Sequence, residues 1–118
     1  MVHSSKEEKD LYITTMITNI ANDKKCFNIE NKKRFTSHHE TSSYLREELE
    51  EAEEEVKKLR TDFEMYWFYC KNERKCAHSD FSKQLELMAD RCKNSINELF
   101  DTYAVILKAI DQGKEWEE

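Results

Sequence analysis

The chain has 118 residues, with 25 acidic and 19 basic side chains and a formal net charge of −6. It contains one glycine and no proline, where average usage would give roughly eight and six. Hairpins and tight turns depend on these residues, so all-β and Rossmann-type folds are disfavoured, and the acidic balance argues against a nucleic-acid partner. The 38% apolar and 37% charged fractions predict a single all-α domain over residues 1–118.

The first predicted helix begins at Ser5, because Ser5-Lys6-Glu7-Glu8 matches a capping box in which the serine oxygen accepts from a free backbone N–H. Its apolar residues continue to about Ala21. The polar segment that follows, residues 22–36, holds the main concentration of basic side chains in the chain. Two interpretations are open for it, a solvated loop or a strap that faces phosphate groups.

The second predicted helix begins with another capping box, Ser37-His38-His39-Glu40. Apolar side chains then recur in alternating steps of four and three, which is the heptad pattern of a helix packed along one seam. Its members are Leu45, Leu49, Ala52, Val56, Leu59, Phe63, Tyr66 and Cys70.

A polar stretch, residues 72–79, predicts a turn, and a third helix follows from Ser79 or Asp80 to Gly113. Its seam contains Phe81, Leu85, Met88, Cys92, Ile96, Leu99, Tyr103, Ile106 and Ile110. The second and third helices are expected to form a long antiparallel hairpin. A hairpin is too thin to enclose a core, so we expect oligomerisation to complete a helical bundle; the alternative is that the first helix alone fills the gap.

The four cysteines, Cys26, Cys70, Cys76 and Cys92, are spaced irregularly and are expected to be free, buried thiols. A zinc site built from Cys70, Cys76, His78 and Cys92 is an alternative, although its spacing departs from the usual ligand gap. No apolar stretch approaches the length of a membrane span and the N-terminus lacks a signal-peptide pattern. The sequence therefore predicts a cytoplasmic protein with no membrane partner.

Two pairs of acidic residues carry the strongest chemical signal. Glu48 with Glu51, and Glu98 with Asp101, are each three residues apart and so share a helix face. Residues equidistant from the turn of an antiparallel hairpin lie side by side, which brings both pairs to one height if the turn centres between Arg74 and Lys75. Four adjacent carboxylates repel one another unless a divalent cation lies among them, and such oxygen-rich sites suit Mg²⁺ or Mn²⁺.

At these residues the chain resembles a known family. Glu47-Glu48-Leu49-Glu50-Glu51 followed by Glu98-Leu99-Phe100-Asp101 is similar to the EExxE…ExxD signature of the MazG-like all-α nucleoside triphosphate pyrophosphohydrolases, which include dimeric dUTPases and dCTP pyrophosphatases. The resemblance extends from about Ser43 to Ile110. It implies Mg²⁺-dependent release of a nucleoside monophosphate and pyrophosphate from a nucleoside triphosphate, by a homodimer or homotetramer.

The resemblance also implies roles for individual side chains. Glu48, Glu51, Glu98 and Asp101 would be metal ligands, and Glu47 would orient or deprotonate the attacking water. From their chemistry, Lys108 could contact a phosphate and Trp67 could stack on a base; the alternatives are a surface lysine and a core or interface aromatic residue. Two other functions stay open: a non-catalytic helical protein that binds a partner through its aromatic and heptad surfaces, and a catalytically degenerate family member.

Overall fold

The computed structural model describes residues 5–116 and is helical, with no strand in that range. Its elements are α1 (Lys6–Asn31), α2 (His38–Lys71), a 3-10 turn (Glu73–Lys75) and α3 (His78–Gly113). The prediction of an all-α fold is confirmed. Within the described residues, each helix is too short or too polar to traverse a bilayer.

The helix starts follow the capping pattern of the sequence. The Ser5 hydroxyl accepts from the Glu8 backbone N–H at 3.1 Å, and the Ser37 hydroxyl accepts from the Glu40 N–H at the same distance. Helix α3 begins slightly earlier than predicted, and Asp80 stabilises that start by accepting from the backbone N–H of Ala77 at 3.1 Å. Its end at Gly113 agrees with the prediction.

Helix α1 is longer than its apolar pattern predicts. It continues past Ala21 to Asn31, so the predicted loop over residues 22–36 is reduced to residues 32–37. Two part-buried polar contacts to α3 explain the extension: Lys24 pairs with Asp101, and Asn28 accepts from Lys108. Such tertiary contacts outweigh the weak local preference of a polar segment.

The chain forms two compact units, and the boundaries between them fall inside continuous helices. The terminal unit comprises Met1–Leu45 and Phe100–Glu118, described over residues 5–45 and 100–116, and the hairpin unit comprises Arg46–Leu99. The prediction of one domain over the whole chain stays a prediction.

The terminal unit has a closed core around Phe35, which is 1% exposed. The backbone N–H of Phe35 donates to the Gln112 side chain at 2.8 Å, and its carbonyl accepts from the Trp116 indole at 3.1 Å. The Phe35 ring also packs against Tyr44, with ring centroids 5.4 Å apart. These contacts fix the short loop between α1 and α2 on the last turns of α3.

The hairpin unit is joined by polar contacts at its middle and by aromatic contacts near its turn. The Asp62 carbonyl accepts from Gln84 at 2.6 Å, and the Asp62 carboxylate accepts from Arg91 at 3.0 Å. Closer to the turn, Tyr66 meets Phe81 edge-on at 6.1 Å between ring centroids. These pairs align α2 and α3 antiparallel, as predicted.

The heptad seams lie only partly between the two helices of the hairpin unit. Ala52 is buried, but alternate members of the α2 seam face outward, and most of the α3 seam does too. The inner face of α3 is one residue out of step with its seam and contains Gln84, Arg91, Ser95 and Glu98, all buried or half-buried. The outward members include Leu49, Val56, Phe63, Leu85, Cys92, Ile96 and Leu99.

Candidate metal centre

Three of the four predicted metal ligands converge. Glu48 lies on α2, and Glu98 and Asp101 lie one turn apart on α3. Carboxylate oxygens of all three lie within 4.8 Å of one another, and each side chain is half-buried. We call these residues the carboxylate cluster.

The cluster follows from two local features of the sequence. Residues three apart on a helix share a face, which brings Glu98 and Asp101 together on α3. The hairpin turn is centred on the 3-10 segment Glu73–Lys75, close to the predicted point, and this sets Glu48 opposite the pair. A shift of the turn by one helical turn would separate the residues by about 5 Å along the helices.

The chemistry of the cluster suits a hard divalent cation. All its potential donors are carboxylate oxygens, the ligands that Mg²⁺ and Mn²⁺ favour. The cluster therefore fits the cofactor that the family resemblance implies. Glu51, the fourth predicted ligand, is exposed and lies outside the cluster, and Glu47 is also exposed beside Glu48 on α2.

A lysine from α1 contacts the cluster. The Lys24 ammonium lies 2.7 Å from the Asp101 carboxylate, with 30% of the lysine side chain and 35% of the aspartate side chain exposed. Lys24 is not among the site residues predicted from the sequence, because it lies in the basic segment of residues 22–36, where no single lysine stands out. The available signal was helical spacing from Ala21, since Ala21, Lys24 and Asn28 share one face of α1.

Lys108 was predicted to contact a phosphate, but the structure places it inside the terminal unit. Its side chain is fully buried, and its ammonium donates to the Asn28 side chain at 2.5 Å and to the Lys33 carbonyl at 2.7 Å. The ammonium also lies 4.3 Å from the centre of the Phe35 ring. Burial lowers the pKa of Lys108, an effect that the nearby Glu40 carboxylate partly opposes. In this arrangement Lys108 anchors the loop, and its predicted phosphate contact gains no support.

Trp67 was predicted to stack on a base. Its side chain is 51% exposed, but it lies nineteen positions beyond Glu48 on α2, a separation of about 28 Å along the helix. A nucleotide held by the carboxylate cluster would not reach Trp67 of the same chain. The exposure of Trp67 agrees better with the alternative of an interface aromatic residue.

The alternative zinc site is not formed in the described part of the chain. Cys70, Cys76 and His78 line one cavity of about 420 Å³ at the hairpin turn, but Cys92 does not line it. Over residues 5–116, no group of three or more Asp, Glu, Cys or His side chains other than the carboxylate cluster brings possible ligand atoms within 4.8 Å of one another. The cysteines are free as predicted, although Cys26 and Cys92 are exposed and the other two are half-buried, so the prediction of buried thiols is wrong.

Comparisons of the chain with protein-family models, with curated proteins and with solved structures each find no match.

Proposed function

We propose that this protein is a metal-dependent nucleoside triphosphate pyrophosphohydrolase with its active site at the carboxylate cluster. The observation that carries the proposal is the convergence of Glu48, Glu98 and Asp101, because three carboxylates that the sequence pattern predicts as ligands of one cation lie together. The MazG-like resemblance at the same positions supports the same reaction. We expect this activity in the cytoplasm.

The side chains have distinct proposed roles. Glu48, Glu98 and Asp101 would hold Mg²⁺ or Mn²⁺, with Glu51 as a fourth ligand from the adjacent turn of α2. The cation would supply a positive charge that neutralises the triphosphate. Glu47 would accept the proton of the water that attacks the α-phosphorus. The α–β bridging oxygen then leaves with pyrophosphate, and the nucleoside monophosphate is released.

The first test is pyrophosphate release from a panel of canonical and modified nucleoside triphosphates, with Mg²⁺ or Mn²⁺ and with EDTA as the control. We expect metal-dependent release that Glu98→Gln abolishes. Glu86→Gln is the matched control, because Glu86 is an exposed glutamate on the same helix, away from the cluster. Absence of release from the folded parent protein across the whole panel would contradict the proposal.

We also propose that the protein is a homodimer or homotetramer assembled through the hairpin unit. Leu49 and Val56 of α2 and Leu99 of α3 line one apolar groove of about 380 Å³, so members of the two outward seams lie side by side at this point. Its large members are between 39% and 51% exposed: Leu49, Val56, Phe63, Leu85, Ile96 and Leu99. Half-exposed side chains of this size leave several hundred Å² of apolar surface, on the scale of the ~800 Å² that each partner buries in a standard interface.

The same face supports a second function, binding of a different helical protein without catalysis. Trp67 and Phe68 extend the exposed apolar surface towards the turn, at 51% and 52% exposure, and aromatic residues of this kind dominate binding energy at interfaces. Replacing Trp67 by alanine would then abolish partner binding and leave the metal response unchanged. A catalytically degenerate family member would bind the cation and release no pyrophosphate.

A further inference from the structure

Lys24 is held in place by the packing of α1. Ala21, one turn before it, is fully buried, and Asn28, one turn after it, accepts from the buried Lys108. The ammonium of Lys24 therefore reaches Asp101 from a fixed backbone position, at 2.7 Å. The ammonium donates to Oδ1 of Asp101, and Asp101 offers one carboxylate oxygen to the cluster.

The charges at the cluster explain what this contact does. Three carboxylates within 4.8 Å repel one another, and an ammonium beside one of them offsets part of that repulsion. A divalent cation bound at the cluster would offset the repulsion among all three carboxylates. The cation and the Lys24 ammonium therefore compete for Asp101.

We infer that Lys24 is the counter-ion of Asp101 in the metal-free protein, that it releases Asp101 when a divalent cation binds at the cluster, and that it then donates to a phosphate oxygen of the substrate. The four-carbon stem of a lysine allows its ammonium to move while the backbone stays fixed. The side chain is one-third exposed and so is free to turn towards a ligand at the cluster surface. This inference rests on the proposed function, because it requires a cation at the same cluster.

The neighbouring lysine provides a matched control. Lys25 pairs with Asp111 at 2.8 Å, almost the same distance as the Lys24 pair, on the same two helices. Asp111 lies ten residues beyond Asp101 and does not belong to the cluster. Removing either lysine takes one positive charge from α1 and breaks one ion pair, but only Lys24 touches a proposed ligand.

The test is Mn²⁺ binding to the full chain, measured by calorimetry and by the loss of the free Mn²⁺ resonance signal. We expect Lys24→Met to bind Mn²⁺ about tenfold more tightly than the parent, because a competing cation has been removed. Lys24→Arg and Lys25→Met should bind it as the parent does. Circular dichroism verifies that each variant is folded, and Lys24→Gln replaces Lys24→Met if that variant is not.

A second titration, with inorganic pyrophosphate in saturating Mn²⁺, tests the phosphate contact. Lys24→Met should bind pyrophosphate at least about fivefold more weakly, with Lys25→Met unchanged. If the parent binds Mn²⁺ and Lys24→Met binds it no more tightly, the inference is overturned while the proposed function stands. If pyrophosphate affinity is unchanged in Lys24→Met, the donor role is overturned. If the parent binds no Mn²⁺, both proposals fail.

Discussion

The terminal unit and the hairpin unit differ in whether large apolar side chains form a core within the unit. In the terminal unit, Phe35 and Val105 are each 1% exposed and close a core within the chain. In the hairpin unit, the contacts between the helices are polar at the middle, as at Asp62 with Arg91, and aromatic near the turn, while many other large apolar residues of both helices are exposed. Both units leave large apolar side chains exposed, such as Leu11 and Ile110 in the terminal unit and Leu49 and Ile96 in the hairpin unit, but the terminal unit also encloses large ones in a core.

This difference teaches that a heptad pattern identifies a stripe of a helix but not the partner that covers it. The sequence predicts a seam on each of α2 and α3 but not which surface packs against it. A stripe of polar residues one position away, which includes Ser95, takes that contact on α3 instead. The apolar stripe is then available to a second chain.

The largest expected effect concerns the outward face. We expect the double variant Ile96→Glu with Leu99→Glu to dissociate the oligomer, raising its dissociation constant at least about a hundredfold, equivalent to about 3 kcal/mol, because two charges would be desolvated in an apolar interface. Size-exclusion chromatography with light scattering measures the mass. Asn97→Glu, which adds a charge at an exposed polar position between them, should leave the mass unchanged. A parent protein that is monomeric at high concentration would contradict the proposed assembly.

An effect of comparable size is expected in the closed core of the terminal unit. Phe35→Ala should lower the free energy of unfolding by about 3–4 kcal/mol, because it removes a fully buried ring and leaves a cavity. Urea denaturation measures the change. Phe27→Ala is the control, since Phe27 is 62% exposed on α1 and its replacement should cost less than about 1 kcal/mol. Equal costs for the two variants would show that the core is not closed around Phe35.

A smaller effect, dependent on pH, is expected at Lys108. Lys108→Met should destabilise the protein by about 1–3 kcal/mol, because the Lys33 carbonyl and the Asn28 side chain would lose the part-buried donor that they share. Burial lowers the pKa of Lys108 from 10.5, so the unfolded chain binds more protons between the folded-state pKa and 10.5. The stability conferred by this residue therefore increases as pH rises through that window.

Urea denaturation at several values of pH measures this change. The difference in unfolding free energy between the parent and Lys108→Met should widen towards alkaline pH, while Lys93→Met, at an exposed site on α3, should follow the parent throughout. A difference that narrows as pH rises would contradict the assignment of a desolvated ammonium.

Local signals predicted much of the fold. The capping boxes at Ser5 and Ser37 and the end at Gly113 could be predicted because each depends on residues within one or two turns. The end of α1 could not, because residues 22–31 are held helical by contacts to residues far along the chain, such as Lys24 with Asp101. Sequence periodicity carries no information about such contacts.

The carboxylates of the candidate site could also be predicted from local signals, but the lysines could not. Glu48, Glu98 and Asp101 could be placed together because their positions depend on helical spacing and on one turn. Lys24 and Lys108 could not be assigned correctly, since their roles depend on how α1 and the loop of residues 32–37 pack on α3. The spacing of residues in the sequence is enough to predict which side chains share a face of one helix. It does not predict which side chains meet across helices, because those contacts depend on how the helices pack.

The smallest expected effect concerns the Lys25–Asp111 pair, which decides whether Lys25 is a sound control for Lys24. The hydrogen bond from Lys25, followed by its charge, lowers the pKa of Asp111 from 3.8. A depressed carboxyl pKa confers stability above its unfolded value that is lost as pH falls through the folded one. Asp111→Asn should therefore lower the melting temperature slightly at pH 7, and the difference should vanish well below pH 4. A large loss at neutral pH would mean that this pair helps to hold α1 in place, and Lys25→Met would then perturb the same packing that positions Lys24.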